Sequence, residues 1–149
     1  MSKPASRSAA ETHALDAYIK LMRASESVTA RSHAALPKGL TLAQFGVLEA
    51  LYHRGPLCAS ELAAKLLKSP GNLTLVLDNL ERDGRVRRER DPQDRRFVTI
   101  HLTASGRQFI STLFPAIAAG IAREFTVLSS AEQAMLAELC KKLGRGLST

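Results

Sequence analysis

LCASELAAKLLKSPGNLTLVLDNLERDGRVRRERDPQDRRFVTIHLT, Leu57 to Thr103, is the stretch on which the fold turns. Leu62, Ala63 and Leu66 give a short helix, about Ser60 to Leu67, one inward face. Ser69-Pro70 is a strong helix start. A serine oxygen accepts from an N–H of the first turn, and proline at the first helical position gives up an N–H that has no helical partner anyway. The helix it opens runs to about Asp83, and Gly84 supplies the stop. Val86–Arg90, a polar turn Asp91–Asp94 and the alternating, β-branched run Arg96–Leu102 then read as a β-hairpin. A short helix, a tight turn, a second helix and a hairpin make a winged helix-turn-helix, an arrangement whose second helix enters the major groove of DNA.

The second helix fits that role by its faces. Leu73, Val76, Leu77 and Leu80 fall at i, i+3, i+4 and i+7 and form a core stripe, while Gly71, Asn72, Leu75, Asp78, Asn79 and Arg82 point away. That outer face is short, polar and nearly neutral. Asparagine can pair with adenine edges in a bidentate way, and Leu75 suits a thymine methyl. Ser69 and Gly71 let the backbone approach a phosphate at the positive end of the helix. The candidate reading residues are therefore Ser69, Pro70, Gly71, Asn72, Thr74, Leu75 and Asn79. The alternative is an ordinary amphipathic helix with a solvated face.

The hairpin decides between these readings. Arg82, Arg85, Arg87, Arg88, Arg90, Arg95 and Arg96 crowd one short segment. The planar guanidinium fork suits phosphates and the negative potential of a narrow minor groove. Arg88, Arg90, Arg95 and Arg96 are the candidate wing contacts, together with Asp94. A carboxylate there repels phosphate, but two residues from Arg96 it can hold that guanidinium in a bidentate pair. The alternative for Asp94 is a surface ion pair of little energetic worth.

Around this block the chain reads as helices. Leu15, Tyr18, Ile19 and Met22 stripe a helix from Ala9 to about Ala35, ended by Pro37 and Gly39. Thr41-Leu-Ala-Gln44 is a capping box for a helix carrying Phe45, Leu48, Leu51 and Tyr52. Leu57-Cys58 suits a short strand. Thr103 caps a long apolar-striped helix in which Pro115 must cost a hydrogen bond and should bend the axis. Ser129-Ser-Ala-Glu132 is another capping box, opening a helix with Leu136, Leu139, Cys140 and Leu143 on one face, where Cys140 reads as core packing. The fold class is mainly α with a small β-wing. A winged helix-turn-helix lobe spans 41–103, and a helical region combines 9–36 with 104–147.

Composition narrows the function classes. The 21 Lys and Arg against 14 Asp and Glu leave the 149-residue chain at +7, which favours a polyanionic partner. The basic cluster lies in a hairpin, whereas a membrane-surface protein wants a cationic amphipathic helix. There is no apolar leader and no apolar run long enough to span a bilayer, and the two distant cysteines form no disulfide framework, so a reducing cytoplasm is the expected setting. No Gly-rich phosphate loop, nucleophile elbow or metal triad is present, so the expectation is a non-enzyme without cofactor or metal. His53 and Glu49, at i and i+4, lack a clear third ligand. The rival to DNA binding is a winged-helix protein-interaction module, for which an arginine wing has no purpose.

Ser60–Gly84 and Asp91–Gly106 resemble the MarR family of transcriptional regulators. Asp94, Arg96, Leu102, Thr103 and Gly106 occupy the family's wing signature, Asp-x-Arg followed by a strand and Leu-Thr-x-x-Gly. The resemblance implies a homodimer built from the first and last two helices. It also implies a pseudo-palindromic operator on double-stranded DNA and, as the family expectation, repression. Small aromatic or phenolic effectors bind many such regulators, and here Tyr18, Met22, Phe45, Leu48, Tyr52 and His53 would line the pocket; their alternative role is core packing. Phe45–Gly55, Gly71–Leu80 and Phe114-Pro115 also resemble a quinone-responsive subgroup. Cys58 near a helix start is the candidate redox residue, with a small buried side chain as the alternative. Many relatives carry a basic residue where this chain has Leu75, so their base preference does not transfer.

Overall fold

Thr41 opens the central helix of the computed structural model, which describes residues 6–66 and 70–147. Its hydroxyl accepts from the Gln44 N–H at 3.1 Å, and the Gln44 side chain accepts from the Thr41 N–H at 3.0 Å, the reciprocal pair that starts α2 (Leu42–Arg54). Phe45, Val47, Leu48, Ala50 and Leu51 are all buried, so α2 is enclosed on several sides. Around it lie β1 (Leu57–Cys58), α3 (Ala59–Leu66), α4 (Pro70–Arg82), β2 (Val86–Arg90) and β3 (Val98–Leu102). The sheet is antiparallel in the order β1-β3-β2, with fully buried Ile100 opposite both Leu57 and Arg88. Leu73, Leu77 and Leu80 of α4 complete this core, with Val76 half-buried at its margin.

The fold class is the expected one, and the differences lie at element ends. α1 (Ala9–Ser32) stops before Ala35, where Ser32 and His33 turn their side chains back toward the Thr29 carbonyl. β3 starts at Val98 instead of Arg96. The Phe97 N–H donates to the Asp94 carbonyl at 3.0 Å and the Arg96 N–H to the Asp94 side chain at 3.1 Å, so these groups serve the turn and not the ladder. α5 (Ala104–Phe125) continues through Pro115. The expected Ser69 cap and the last residue of the expected short helix, Leu67, lie outside the described residues.

The chain divides into two compact units, one of residues Ala35–Ala118 and the other of the residues before and after it. The second unit contains α1, the end of α5 and α6 (Ser130–Arg145). In it the Arg31 Nε donates to Glu124 at 2.6 Å, joining α1 to α5, and Ser129 and Glu132 form the expected capping box. Its apolar stripes stand open. Leu15, Tyr18, Ile19 and Met22 on α1 and Leu136, Leu139 and Leu143 on α6 are exposed. Cys140, expected in a core, is exposed with them, because no described element of the single chain covers that face of α6. No single described helix is long and apolar enough to cross a membrane.

One junction explains the Leu-Thr-x-x-Gly pattern. α4 ends in a reverse turn: Arg85 N–H donates to the Leu80 carbonyl at 2.9 Å and Gly84 N–H to that of Glu81 at 3.0 Å, with Gly84 at φ 71°, where a side chain would be strained. The Arg85 carbonyl then accepts from the N–H of Thr103 at 3.1 Å, and the Thr103 hydroxyl donates to the Gly84 carbonyl at 2.5 Å, with the Arg85 carbonyl farther off at 3.1 Å. The same hydroxyl caps α5 by accepting from the Gly106 N–H at 2.9 Å. A Cβ on residue 106 would collide with the Arg85 carbonyl, so glycine is what lets α5 lie against that backbone. Gly106→Ala, although alanine is the better helix former, is expected to destabilise the chain by about 1–3 kcal/mol through this overpacking. Urea unfolding checks it, and an unchanged midpoint would contradict it.

Candidate nucleic-acid interface

α4 turns its leucines inward and so presents the other side outward. Asn72, Thr74, Leu75 and Asp78 are exposed and Asn79 is half-buried. Leu75, 64% exposed, is a large apolar side chain without cover on a polar face. Pro70 and Gly71 form the first residues of the helix. Ser69 lies outside the described residues.

At the wing tip the Asp91 carboxylate accepts from the N–H groups of Gln93 and Asp94, at 2.8 and 3.4 Å, and so shapes the turn. Asp94 then takes Arg96 in a two-point pair, Nε to Oδ1 at 3.0 Å and Nη2 to Oδ2 at 2.8 Å. The Arg96 guanidinium and then its backbone N–H hold the Asp94 carboxyl below the usual carboxylate range. The carboxylate in turn raises the Arg96 pKa. The Arg96 side chain is nevertheless 88% exposed. Three of the five guanidinium N–H donors take no part in this pair, so the arrangement offers an aimed, charged fork to a further anion.

The structure sorts the other arginines by what they touch. Arg95 is exposed, and its carbonyl accepts from Arg90 Nη1 at 3.3 Å, which braces the tip. Arg88 turns back to α4, where Nη2 lies 2.6 Å from Asp78 Oδ1. On the opposite face of β2, Glu89 sits between Arg87 at 2.9 Å and His101 at 3.1 Å. Arg85 stacks on the Phe109 ring, 3.8 Å from its centroid, and Arg82 lies 3.4 Å from Asp83. Spacing alone shows a cluster of arginines; it does not show which of them are occupied by carboxylates.

Phe97 is a residue that the motif reading missed. It is 59% exposed beside Arg96, and with Cys58, Ser60, Thr74 and Arg96 it lines a groove of about 320 Å³ between the wing, α4 and the start of α3. An aromatic directly after the Asp-x-Arg run was the available signal. Cys58, the last residue of β1, is half-buried just before α3. Its N–H donates to Glu61 at 2.9 Å, which keeps that carboxyl below its ordinary range, and its sulfur lies 3.1 Å from the Ser60 hydroxyl.

Of the expected effector-pocket residues, Phe45 and Leu48 are buried in the core around α2. Tyr52 and His53 form a ring cluster with Phe114, the His53 and Phe114 centroids lying 4.6 Å apart. His53 Nδ1 lies 3.1 Å from Glu49, and among the described residues no group of three His, Cys, Asp or Glu is placed to hold a metal ion. Tyr18 and Met22 belong to the other unit and are exposed on α1.

Known proteins resemble this sequence and architecture. The family described as MarR matches residues 40–98. The HTH-type transcriptional regulator YkoM of Bacillus subtilis (strain 168), itself uncharacterized, is 41% identical over 132 residues, covering 88% of this chain and 86% of its own. Among solved structures, the Bordetella bronchiseptica regulator BpsR, studied for regulation of its DNA binding by 6-hydroxynicotinic acid, superimposes with a TM-score of 0.78 at 27% identity, over 87% of this chain and 98% of its own. A cysteine-to-serine mutant of MarR from E. coli, complexed with operator DNA, does so with a TM-score of 0.73 at 29% identity, over 83% and 89%.

Asp94→Ala distinguishes aim from net charge. Removal of a negative charge by itself tightens binding to any duplex. Loss of the two-point pair instead frees the Arg96 side chain, whose ordering on binding costs about 0.5–1.5 kcal/mol. The expected outcome is weaker binding, which titration of a labelled duplex measures; tighter binding would contradict the aiming role.

Proposed function

The chain belongs to the MarR family, DNA-binding transcriptional regulators and not enzymes, and on that premise we propose that it binds a pseudo-palindromic operator as a homodimer, represses there, and is released by a small aromatic or phenolic ligand or by an oxidant. The observation that carries the operator reading is the aimed Arg96 at the wing beside the outward face of α4. The helix supplies short polar groups and one apolar side chain for base edges, and the wing supplies a fork for phosphate or the minor groove. In this reading Pro70, Gly71, Asn72, Thr74, Leu75 and Asn79, with Ser69 before them, meet the major groove. Arg90 and Arg95 support Arg96 at the adjacent backbone.

The homodimer is supported by the open stripes on α1 and α6. The large apolar side chains exposed on these helices are costly in water at about 25 cal/mol per Å² of apolar area, and a second copy offers the same stripes. Dimerisation through 9–36 and 104–147 leaves 41–103 to the DNA, with half-sites about one helical turn apart. Release by a ligand is supported by the Tyr52–His53–Phe114 ring cluster and by BpsR, whose DNA binding responds to 6-hydroxynicotinic acid. Release by an oxidant is supported by the place of Cys58 directly before the first residue of α3. The proposed setting is the cytoplasm.

Selection of duplexes from a random pool by the purified protein is expected to enrich an inverted repeat. Asn72→Ala or Asn79→Ala is expected to relax base preference by about 1–3 kcal/mol at one position of each half-site. Failure to enrich any inverted repeat removes the operator reading. Phenols, quinones and peroxides are then added to the complex. No release by any of them, in the parent chain or in Cys58→Ser, removes the effector reading.

A further inference from the structure

We infer that Arg88 is a positioning residue that aims the DNA-reading helix by clamping it to the wing, and that it makes no phosphate contact of its own. The inference rests on the DNA-binding reading above and names the group that sets the aim.

β2 alternates. Val86 is buried and Arg88 half-buried on one side, while Arg87 and Glu89 are exposed on the other. Arg88 therefore leaves the strand on the side that packs against α4, opposite Ile100. Three acceptors at i, i+4 and i+7 along one face of α4 receive it. Nη2 donates to Asp78 Oδ1 at 2.6 Å and to the Thr74 carbonyl at 3.3 Å. Nη1 lies 3.6 Å from the Glu81 carboxylate, which also accepts from the Arg88 backbone N–H at 3.2 Å. Arg88 thus engages residues drawn from about two turns of the helix, from a fixed point on the sheet.

This geometry does two things. It fixes the rotation of α4 about its axis relative to the wing strand, and with it where Asn72, Leu75 and Asn79 point. It also neutralises Asp78, which would otherwise present a bare carboxylate on the face that meets DNA. Both Nη2 protons are committed to α4, to Asp78 Oδ1 and the Thr74 carbonyl, and the Glu81 carboxylate stands beside Nη1, so a phosphate approaching Arg88 meets two carboxylates already paired with it. The side chain is 24% exposed against 88% for Arg96, so the two arginines are placed for different work.

The test compares the parent chain with Arg88→Gln, Arg88→Lys, Asp78→Asn and the double variant Arg88→Gln/Asp78→Asn. Each is titrated with the selected duplex and a scrambled one over a range of salt. Arg88→Gln and Asp78→Asn are each expected to lower the ratio of selected to scrambled affinity by about tenfold. The double variant is expected to lose no more than either single one, and Arg88→Lys to keep part of the ratio. The salt slope is read in the double variant, where no carboxylate is left bare at residue 78, and is expected to equal that of the parent.

A slope lower by about 1 means a lost phosphate contact and overturns the inference. So does an Asp78→Asn variant whose ratio of selected to scrambled affinity is unchanged, since the aim of the helix then does not depend on the pair. Circular dichroism follows folding. If Arg88→Gln unfolds, Asp78→Asn, which keeps the arginine and the side-chain shape, decides alone. A parent chain with no preferred duplex overturns the operator reading and this inference together, whereas a selective parent with a lowered slope in the double variant overturns this inference only.

Discussion

The carbonyl oxygen of Arg85 sits where the end of α4, the start of β2, the end of β3 and the start of α5 meet. It accepts the N–H of Thr103 and, with the nearer Gly84 carbonyl, shares the Thr103 hydroxyl, and the missing side chain of Gly106 lets α5 rest on it. Each neighbouring feature follows from that one group. The reverse turn at Gly84 delivers the Arg85 backbone to this point, and the hairpin register brings Leu102, paired with Val86, back beside it. The hydroxyl that closes the hairpin also caps the next helix, so the wing cannot shift without uncapping α5. Backbone polar groups in such a place must be paired or wet, and here the Gly84 and Arg85 carbonyls share the two donors of Thr103.

Much of this was legible because it is local. The capping boxes at Thr41 and Ser129 and the glycine stop after α4 are signals read over four or five residues, and each forms as the spacing implies. The alternation of Arg96–Leu102 was legible too, but not its start. Strand propensity says nothing about whether the N–H groups of Arg96 and Phe97 are already taken, and the Asp94 side chain and carbonyl take them. The apolar stripe of α6 was legible as a stripe, and no sequence pattern states whether another element of the same chain covers it.

The partners of the arginines were the least legible part of the site. Arg88 and Asp78 are ten residues apart on different elements, and they meet only because β2 alternates and α4 repeats every 3.6 residues, so two periods must be combined in three dimensions. The Asp94–Arg96 pair, by contrast, lies two residues apart in a turn, and its chemistry could be read directly. Phe97 escaped because exposure of an apolar side chain is a tertiary fact: the same residue in a strand one register further in would read as core.

The division of the arginines bears on selectivity more than on affinity. Binding to any duplex is set mainly by how many phosphates are neutralised, and each additional free cation strengthens correct and incorrect sites alike. A wing with all its arginines unpaired would hold DNA tightly and choose poorly. Here Arg88 is turned onto Asp78 and is only 24% exposed and Arg85 lies on an aromatic ring, while Arg82, Arg87 and Arg96 keep exposed side chains beside their carboxylates, Arg96 the most at 88%. The outward face of α4 stays nearly neutral because Asp78 is matched by Arg88 from the neighbouring strand. A neutral reading face gains little from phosphate at large, so what it contributes depends on fitting base edges. In the proposed reading the electrostatic term is strongest at the tip, the discriminating term lies on the helix, and the ion pair between β2 and α4 holds the two in register.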